Sequence, residues 1–275
     1  MIKIQTDNFS LKQISDSGQC FRMREEKDGN YSIIAQGQYL LAGQQGDEIV
    51  FHCSEEEYDA TWCDYFDLKG DYKKYIDSIS EEDTYLINAA GFGSGIRILK
   101  QDVWEMIITF IISQQNNIKR IRKCIDTICE KYGEERINES GIRFYAFPTP
   151  EALAEVSEEE FKACNLGYRS KYLVKTVGMI ASGEFRINDL DKLPYKEAKQ
   201  ELMKLTGIGS KVADCICLFA LHMLDAFPID THILKVLEEE YPQGFPFELY
   251  QGYAGVLQQY IFYYDLMKGK LIYEK

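Results

Sequence analysis

Lys211 and Asp230 are the two residues whose type and setting most directly suggest chemistry. Lys211 lies in LTGIGSKVADC, residues 205–215, at what reads as the first turn of a helix. A helix N-terminus carries partial positive charge, so a cation is disfavoured there. A residue that breaks such a local rule is a functional candidate, and a lysine kept as its free amine is a nucleophile. An ordinary surface lysine is the alternative. Nineteen residues on, Asp230 precedes the apolar periodic run HILKVL and reads as a helix N-cap. That role is compatible with a catalytic one, because a carboxylate can stabilise a cationic transition state or assist proton transfer.

The helix YKEAKQELMKL stops at Gly207 and a new one begins at about Ser210, so Gly207-Ile208-Gly209 reads as a tight hairpin between helices over about 196–220. Glycine permits positive φ and close approach of another backbone. The unpaired N–H groups that open the second helix can bind a phosphate, which makes Gly207, Gly209 and Lys211 candidate phosphate contacts. A P-loop or a dinucleotide fingerprint needs a strand before its glycines. Here the preceding segment is helical and Val212 occupies the third glycine position, so both are excluded.

The elements that hold these residues come from a chain of 275 residues, 45% of them hydrophobic, a globular composition. No run of about 18 apolar residues suggests a membrane span, and MIKIQTDNFSLKQ lacks a secretory signal. The expected setting is intracellular: cytoplasmic, or nuclear in a eukaryote. Eight cysteines without a CxxC pair read as reduced, buried thiols, with no zinc or iron–sulfur spacing. The net charge of −13 argues against nucleic acid as a partner, since phosphate binding is largely electrostatic. The sign is uneven, however: Glu55–Glu57, Glu158–Glu160 and Glu238–Glu240 are acidic runs, whereas 119–123 and Tyr168–Lys171 are basic.

Residues 10 to about 70 read as an antiparallel β meander, with turns at Asp28-Gly29 and Gln45-Gly46-Asp47. From about residue 72 the period becomes helical. VWEMIITFIISQQ is apolar nearly all round and reads as a central buried helix. IKRIRKCIDTICEKYG sets Ile118, Ile121, Ile125, Ile128 and Cys129 on one face. TPEALAEVSEEEFKACNLG reads as a helix starting at Thr149-Pro150. The expected fold class is α+β: a small N-terminal antiparallel β region over 1–75, then a mainly helical body over 76–275.

The hairpin followed by AFPIDTHI resembles the helix-hairpin-helix glycosylase superfamily, and more closely the 8-oxoguanine DNA glycosylases. The likeness spans most of the chain through SGQCFR, QQNNIKRI, NLGYRSKY, the hairpin and YAGVLQQYIFYYDL. It implies that Lys211 attacks C1′ of a flipped nucleotide to form a Schiff base, that Asp230 is the essential carboxylate, and that the strand is nicked by β-elimination. No iron–sulfur loop is present, which favours the 8-oxoguanine branch.

The resemblance also implies a base pocket. A carbonyl at Gly18 would accept the N7 proton that oxidation at C8 creates. Gln258 would read the Watson–Crick edge and Phe262, i+4 on the same helix face, would stack on the base. Cys215 would face the pocket from the other side, with His232 near a phosphate and Asp265 near the pocket. In the duplex, Asn116 would enter the gap and Tyr168 would wedge, with Arg120 and Arg169 on the orphaned cytosine. Gln115 stands where the family has an asparagine, and Thr206 where it has a proline.

The implied partner is double-stranded DNA containing 8-oxoguanine, bound by a monomer with no cofactor required. Backbone carbonyls of Met203, Leu205 and Ile208 are the family's place for a monovalent or divalent cation. Two other readings stay open: a glycosylase of the same superfamily for another damaged base, and a non-catalytic hairpin module that binds DNA.

Overall fold

The computed structural model describes residues 1–273. Five strands form one antiparallel sheet: β1 (Ile2–Gln5), β2 (Met23–Glu25), β3 (Tyr31–Ala35), β4 (Gln38–Gln45) and β5 (Glu48–Phe51), in the order β1-β5-β4-β3-β2. The expected meander is present as β2 to β5, and the alternating burial of IKIQ adds β1 at the edge beside β5.

Two parts of the stretch expected as β are helical. Ser10 accepts the Gln13 N–H at 3.2 Å and starts α1 (Leu11–Asp16), which covers the sheet with Leu11 and Ile14. Helical structure then resumes at residue 55 rather than 72, because Ser54 and Glu57 close a reciprocal capping box. It runs through α2 (Glu55–Glu57), a π turn over Tyr58–Trp62, and α3 (Cys63–Tyr65).

The helical body follows: α4 (Tyr72–Asp77), α5 (Thr84–Phe92), α6 (Val103–Ser113), α7 (Ile118–Tyr132), a two-stranded ribbon of β6 (Glu135–Ile137) and β7 (Arg143–Tyr145), α8 (Pro150–Ala154), α9 (Glu158–Ala163), α10 (Arg169–Ala181), α11 (Tyr195–Leu202), α12 (Ser210–Phe219), α13 (Thr231–Glu240) and α14 (Ala254–Tyr273). The architecture is α+β, a small antiparallel sheet leading into a helical body.

Helix α6 is the axis expected of it: Trp104 through Ile112 are all buried. Helix α7 buries Ile121, Ile125, Ile128 and Cys129, but Ile118 is exposed on its first turn. The stretch after Thr149 is two short helices rather than one, because Ser157 and Glu160 form a second capping box that restarts the chain. Helix α11 ends at Leu202, and turns carry the chain to Ile208 before α12 begins.

Two cores result. One lies between the sheet, α1 and Trp62, Tyr65 and Phe66; the other fills the helical body. Phe21 from the sheet side packs into the helical core and Leu99 from the helical side packs into the sheet core. Among the described residues no helix is long and apolar enough to cross a membrane.

Candidate active site

Helix α12 starts at Gly209 with no side-chain cap, and Gly207 precedes it in the left-handed region at φ +88°. A Cβ on Gly207 would sit 2.7 Å from the Tyr172 ring, so the turn needs glycine for its dihedral and for the close approach of α10. Thr176 of α10 also donates to the Thr206 carbonyl at 2.9 Å. Lys211 is therefore the second residue of a helix whose first amides are uncapped. Its Nζ lies 5.7 Å from the centre of the Phe110 ring of α6, within range of the ring face.

The hairpin arms are joined by Asp214, which the sequence reading passed over. This buried carboxylate accepts from Tyr195 at 2.6 Å and Lys199 at 2.8 Å, both on α11. Burial pushes its pKa up, with the two α11 donors opposing.

Asp230 is the N-cap of α13, accepting the Ile233 N–H at 2.9 Å. Gly18, Lys211, Cys215, Asp230, Gln258 and Phe262 come from separate parts of the chain and line one pocket of about 320 Å³, mouth included. Ser17, Phe110, Phe219, Pro228 and Gln259 complete its wall. Burial pushes the Cys215 thiol up to about 11, against a smaller opposing pull from Lys211, so it is a thiol at neutral pH.

Gly18 is left-handed at φ +76°, and a Cβ there would lie 3.5 Å from the Phe262 ring. The fully buried Gln19 holds this turn. Its Nε2 donates to Ser17 Oγ and the Arg97 carbonyl, each at 2.9 Å, and its Oε1 accepts the Leu99 N–H at 2.8 Å. Its own carbonyl accepts from Gln101 at 2.8 Å. A glutamine inside SGQCFR is the only sequence sign of that network. His232 donates from Nδ1 to the Asp265 carboxylate at 2.7 Å, and the histidine meets Phe262 edge-on at 5.8 Å.

The second group of candidates surrounds the loop between α6 and α7. Gln115 is exposed and left-handed at φ +47°, rare for a residue with a Cβ. Asn116 is half-buried and donates back to the Ile112 carbonyl at 3.1 Å. Arg120 is exposed on α7 and donates to the Asn165 carbonyl at 3.1 Å. Tyr168 is 47% exposed.

Arg169 departs from expectation. It is 3% exposed, and its guanidinium donates to the carbonyls of Gln114, Gln115 (3.0 Å) and Leu166 (3.3 Å). With its donors engaged on the main chain, it supports the loop from beneath and presents no free fork at the surface. Gln114 extends the support, donating from Nε2 to the Gly207 carbonyl at 2.7 Å. The α6–α7 loop and the hairpin are thus joined directly.

Among the described residues no cluster of His, Cys, Asp or Glu has the makings of a metal site. The hairpin carbonyl of Leu205 accepts the Ile208 N–H at 3.2 Å.

Residues 1–107 match the 8-oxoguanine DNA glycosylase N-terminal domain, and residues 108–242 match the HhH-GPD superfamily of base excision DNA repair proteins. A curated relative, the N-glycosylase/DNA lyase OGG1 of Arabidopsis thaliana, is 31% identical over 86% of this chain and 67% of its own length. The chain belongs to the 8-oxoguanine DNA glycosylase family. Another relative, the N-glycosylase/DNA lyase of Saccharomyces cerevisiae, is 29% identical over 87% of this chain and 70% of its own. Within the family, the 8-oxoguanine glycosylase/lyase of Clostridium acetobutylicum, solved with duplex DNA carrying cytosine opposite 8-oxoguanine, superposes with a TM-score of 0.90. It is 36% identical and covers 98% of this chain and 99% of its own.

Proposed function

We propose that this protein is a bifunctional repair enzyme that excises 8-oxoguanine from duplex DNA and nicks the strand. The reading is carried by one observation: Lys211, Asp230 and four base-pocket candidates, spread from residue 18 to residue 262, line a single pocket in a chain that matches the family along most of its length.

The lesion nucleotide is flipped out of the stack into this pocket. Lys211 Nζ attacks C1′ as the glycosidic C1′–N9 bond breaks, and its electron pair leaves with the base, which takes up a proton. Asp230 stabilises the positive charge that develops on the sugar. The sugar opens to a Schiff base on Lys211; loss of a C2′ proton then expels the 3′ phosphate, and water releases the enzyme.

The Gly18 carbonyl accepts the N7–H that only the oxidised base carries, while Phe262 stacks on the base and Gln258 reads its edge. Cys215 closes the wall as an uncharged thiol. Outside the pocket, Asn116 fills the gap and Tyr168 wedges the duplex. Arg120 and the exposed Gln115 meet the orphaned cytosine, and Arg169 holds their loop.

The amides at Gly207 and Gly209, with Lys211 and His232, meet phosphates, so an acidic protein grips DNA through local donors. The enzyme works as a monomer without a cofactor, in the cytoplasm or a nucleus. Hairpin carbonyls of Met203, Leu205 and Ile208 would hold a cation; the Leu205 oxygen retains one lone pair for it.

Borohydride trapping on a duplex with 8-oxoguanine opposite cytosine tests the mechanism. Wild type should form a covalent adduct and Lys211→Gln should form none while still binding DNA. No wild-type adduct, with DNA binding intact, would rule out the lyase step.

A further inference from the structure

Gln259 follows Gln258 on α14, lines the same pocket and is 3% exposed. Its amide oxygen is buried with no hydrogen-bond partner among the described residues. Buried polar atoms are ordinarily paired, so one left open beside a base pocket calls for a reason.

The reason lies in a one-way chain of amides. The Pro228 carbonyl can only accept, and it takes the Gln258 Nε2 at 2.9 Å. That turns Gln258 Oε1 toward Gln259, whose Nε2 donates to it at 3.0 Å. Flipping Gln258 would set oxygen against the Pro228 oxygen and NH2 against NH2. Flipping Gln259 would set its oxygen against Gln258 Oε1. Each alternative is repulsive, so the chain has a single sense and ends in the open Gln259 oxygen.

We propose that Gln259 is a specificity-determining residue that locks the Gln258 amide in one orientation. The inference rests on the reading above in which Gln258 meets the edge of a flipped base. A guanine-type edge presents the O6 acceptor beside the N1–H donor. An adenine-type edge presents the N6–H donor beside the N1 acceptor, in reverse order. A freely turning glutamine amide can match either by a half rotation, because its oxygen and NH2 exchange places. Held from both ends, by Pro228 and Gln259, it matches only one. The pocket therefore separates 8-oxoguanine from 8-oxoadenine by an orientation that Gln259 helps to fix.

The experiment compares single-turnover excision of 8-oxoguanine and of 8-oxoadenine, each opposite cytosine, by wild type, Gln259→Leu and Gln259→Ala. Wild type should favour 8-oxoguanine, and both variants should narrow the ratio by roughly three- to tenfold, the worth of one amide hydrogen bond. Thermal midpoints and affinity for undamaged duplex control for folding. Should a variant lose turnover, the same ratio is read as equilibrium affinity for the two lesion duplexes in a Lys211→Gln background.

Equal losses on both lesions, or an unchanged ratio, would reduce Gln259 to a packing residue and overturn the proposal. A wild type without preference between the lesions would overturn it as well. A wild type that excises neither would bring down the functional reading and this inference with it. A wild type that excises 8-oxoguanine, joined by variants of unchanged ratio, would overturn this inference alone.

Discussion

Arg169 Nη2 lies 3.0 Å from the Gln115 carbonyl, beneath a left-handed residue that faces solvent. A buried guanidinium thus supports an exposed, strained loop, and the same loop is tied to the hairpin through Gln114 and Gly207. The loop between α6 and α7 and the hairpin that bears Lys211 consequently share one continuous hydrogen-bonded support.

Removing Arg169 should therefore act first on stability. Arg169→Ala strips the donors from three carbonyls, each such hydrogen bond to a charged group being worth about 1.5–3 kcal/mol. The Gln114 and Gln115 carbonyls are only partly buried and can turn to water instead, so a net loss of about 2–4 kcal/mol is expected. Chemical denaturation measures it. A loss under about 0.5 kcal/mol, the range of an ordinary surface substitution, would contradict the buried geometry.

The two hairpin glycines should differ in tolerance. Gly207→Ala meets both a positive φ and the Tyr172 ring at 2.7 Å, whereas Gly209 has an extended backbone and open space around its Cβ position. Gly207→Ala should cost about 2–3 kcal/mol and Gly209→Ala less than about 1 kcal/mol. Paired thermal melts decide it, and equal midpoints would refute the asymmetry.

Asp230→Asn should separate folding from chemistry. The asparagine oxygen can keep the cap bond to Ile233, so stability should change by less than about 1 kcal/mol. Loss of the charge should slow base excision by about 10²–10⁴-fold. Single-turnover rates beside melting curves check the split, and an unchanged rate would remove Asp230 from the mechanism.

Glu105 predicts a pH effect on stability. It is buried on α6 with Arg22 Nη1 3.7 Å away. Burial pushes its pKa up to about 7 from an ordinary 4.5, with Arg22 pulling the other way. A raised acid binds its proton more tightly folded than unfolded. Its stabilisation is fully present below about pH 4.5 and is lost as pH rises to 7, on the order of 3 kcal/mol in all. The stability difference between wild type and Glu105→Gln should fall across that window and level off above it. A flat difference would place the Glu105 carboxyl in its ordinary range.

Much of the candidate site was legible in the sequence because its signals are local. A glycine pair before a helix, an acidic cap before an apolar run, and an i, i+4 pair on one face depend on neighbours in the chain. Helix α6 was readable for the same reason, since a run that is apolar nearly all round must be buried. The misreadings were also local in origin. Ser10, Ser54 and Ser157 each start a helix through a cap, and two of them complete a capping box, yet they lie where β character or an unbroken helix seemed to continue.

The sequence by itself determined the hairpin, the α+β order and which residues are candidates for the chemistry. Only the tertiary structure decided that Arg169 turns inward, that Asp214 joins the hairpin arms, and that Gln258 and Gln259 form a chain with one sense. Those outcomes depend on which carbonyl or amide lies within about 3 Å in folded space. Pro228 and Gln258 are 30 residues apart, and Gln114 and Gly207 are 93. A hydrogen bond between such partners leaves no period in the sequence, because packing of the helices brings them together.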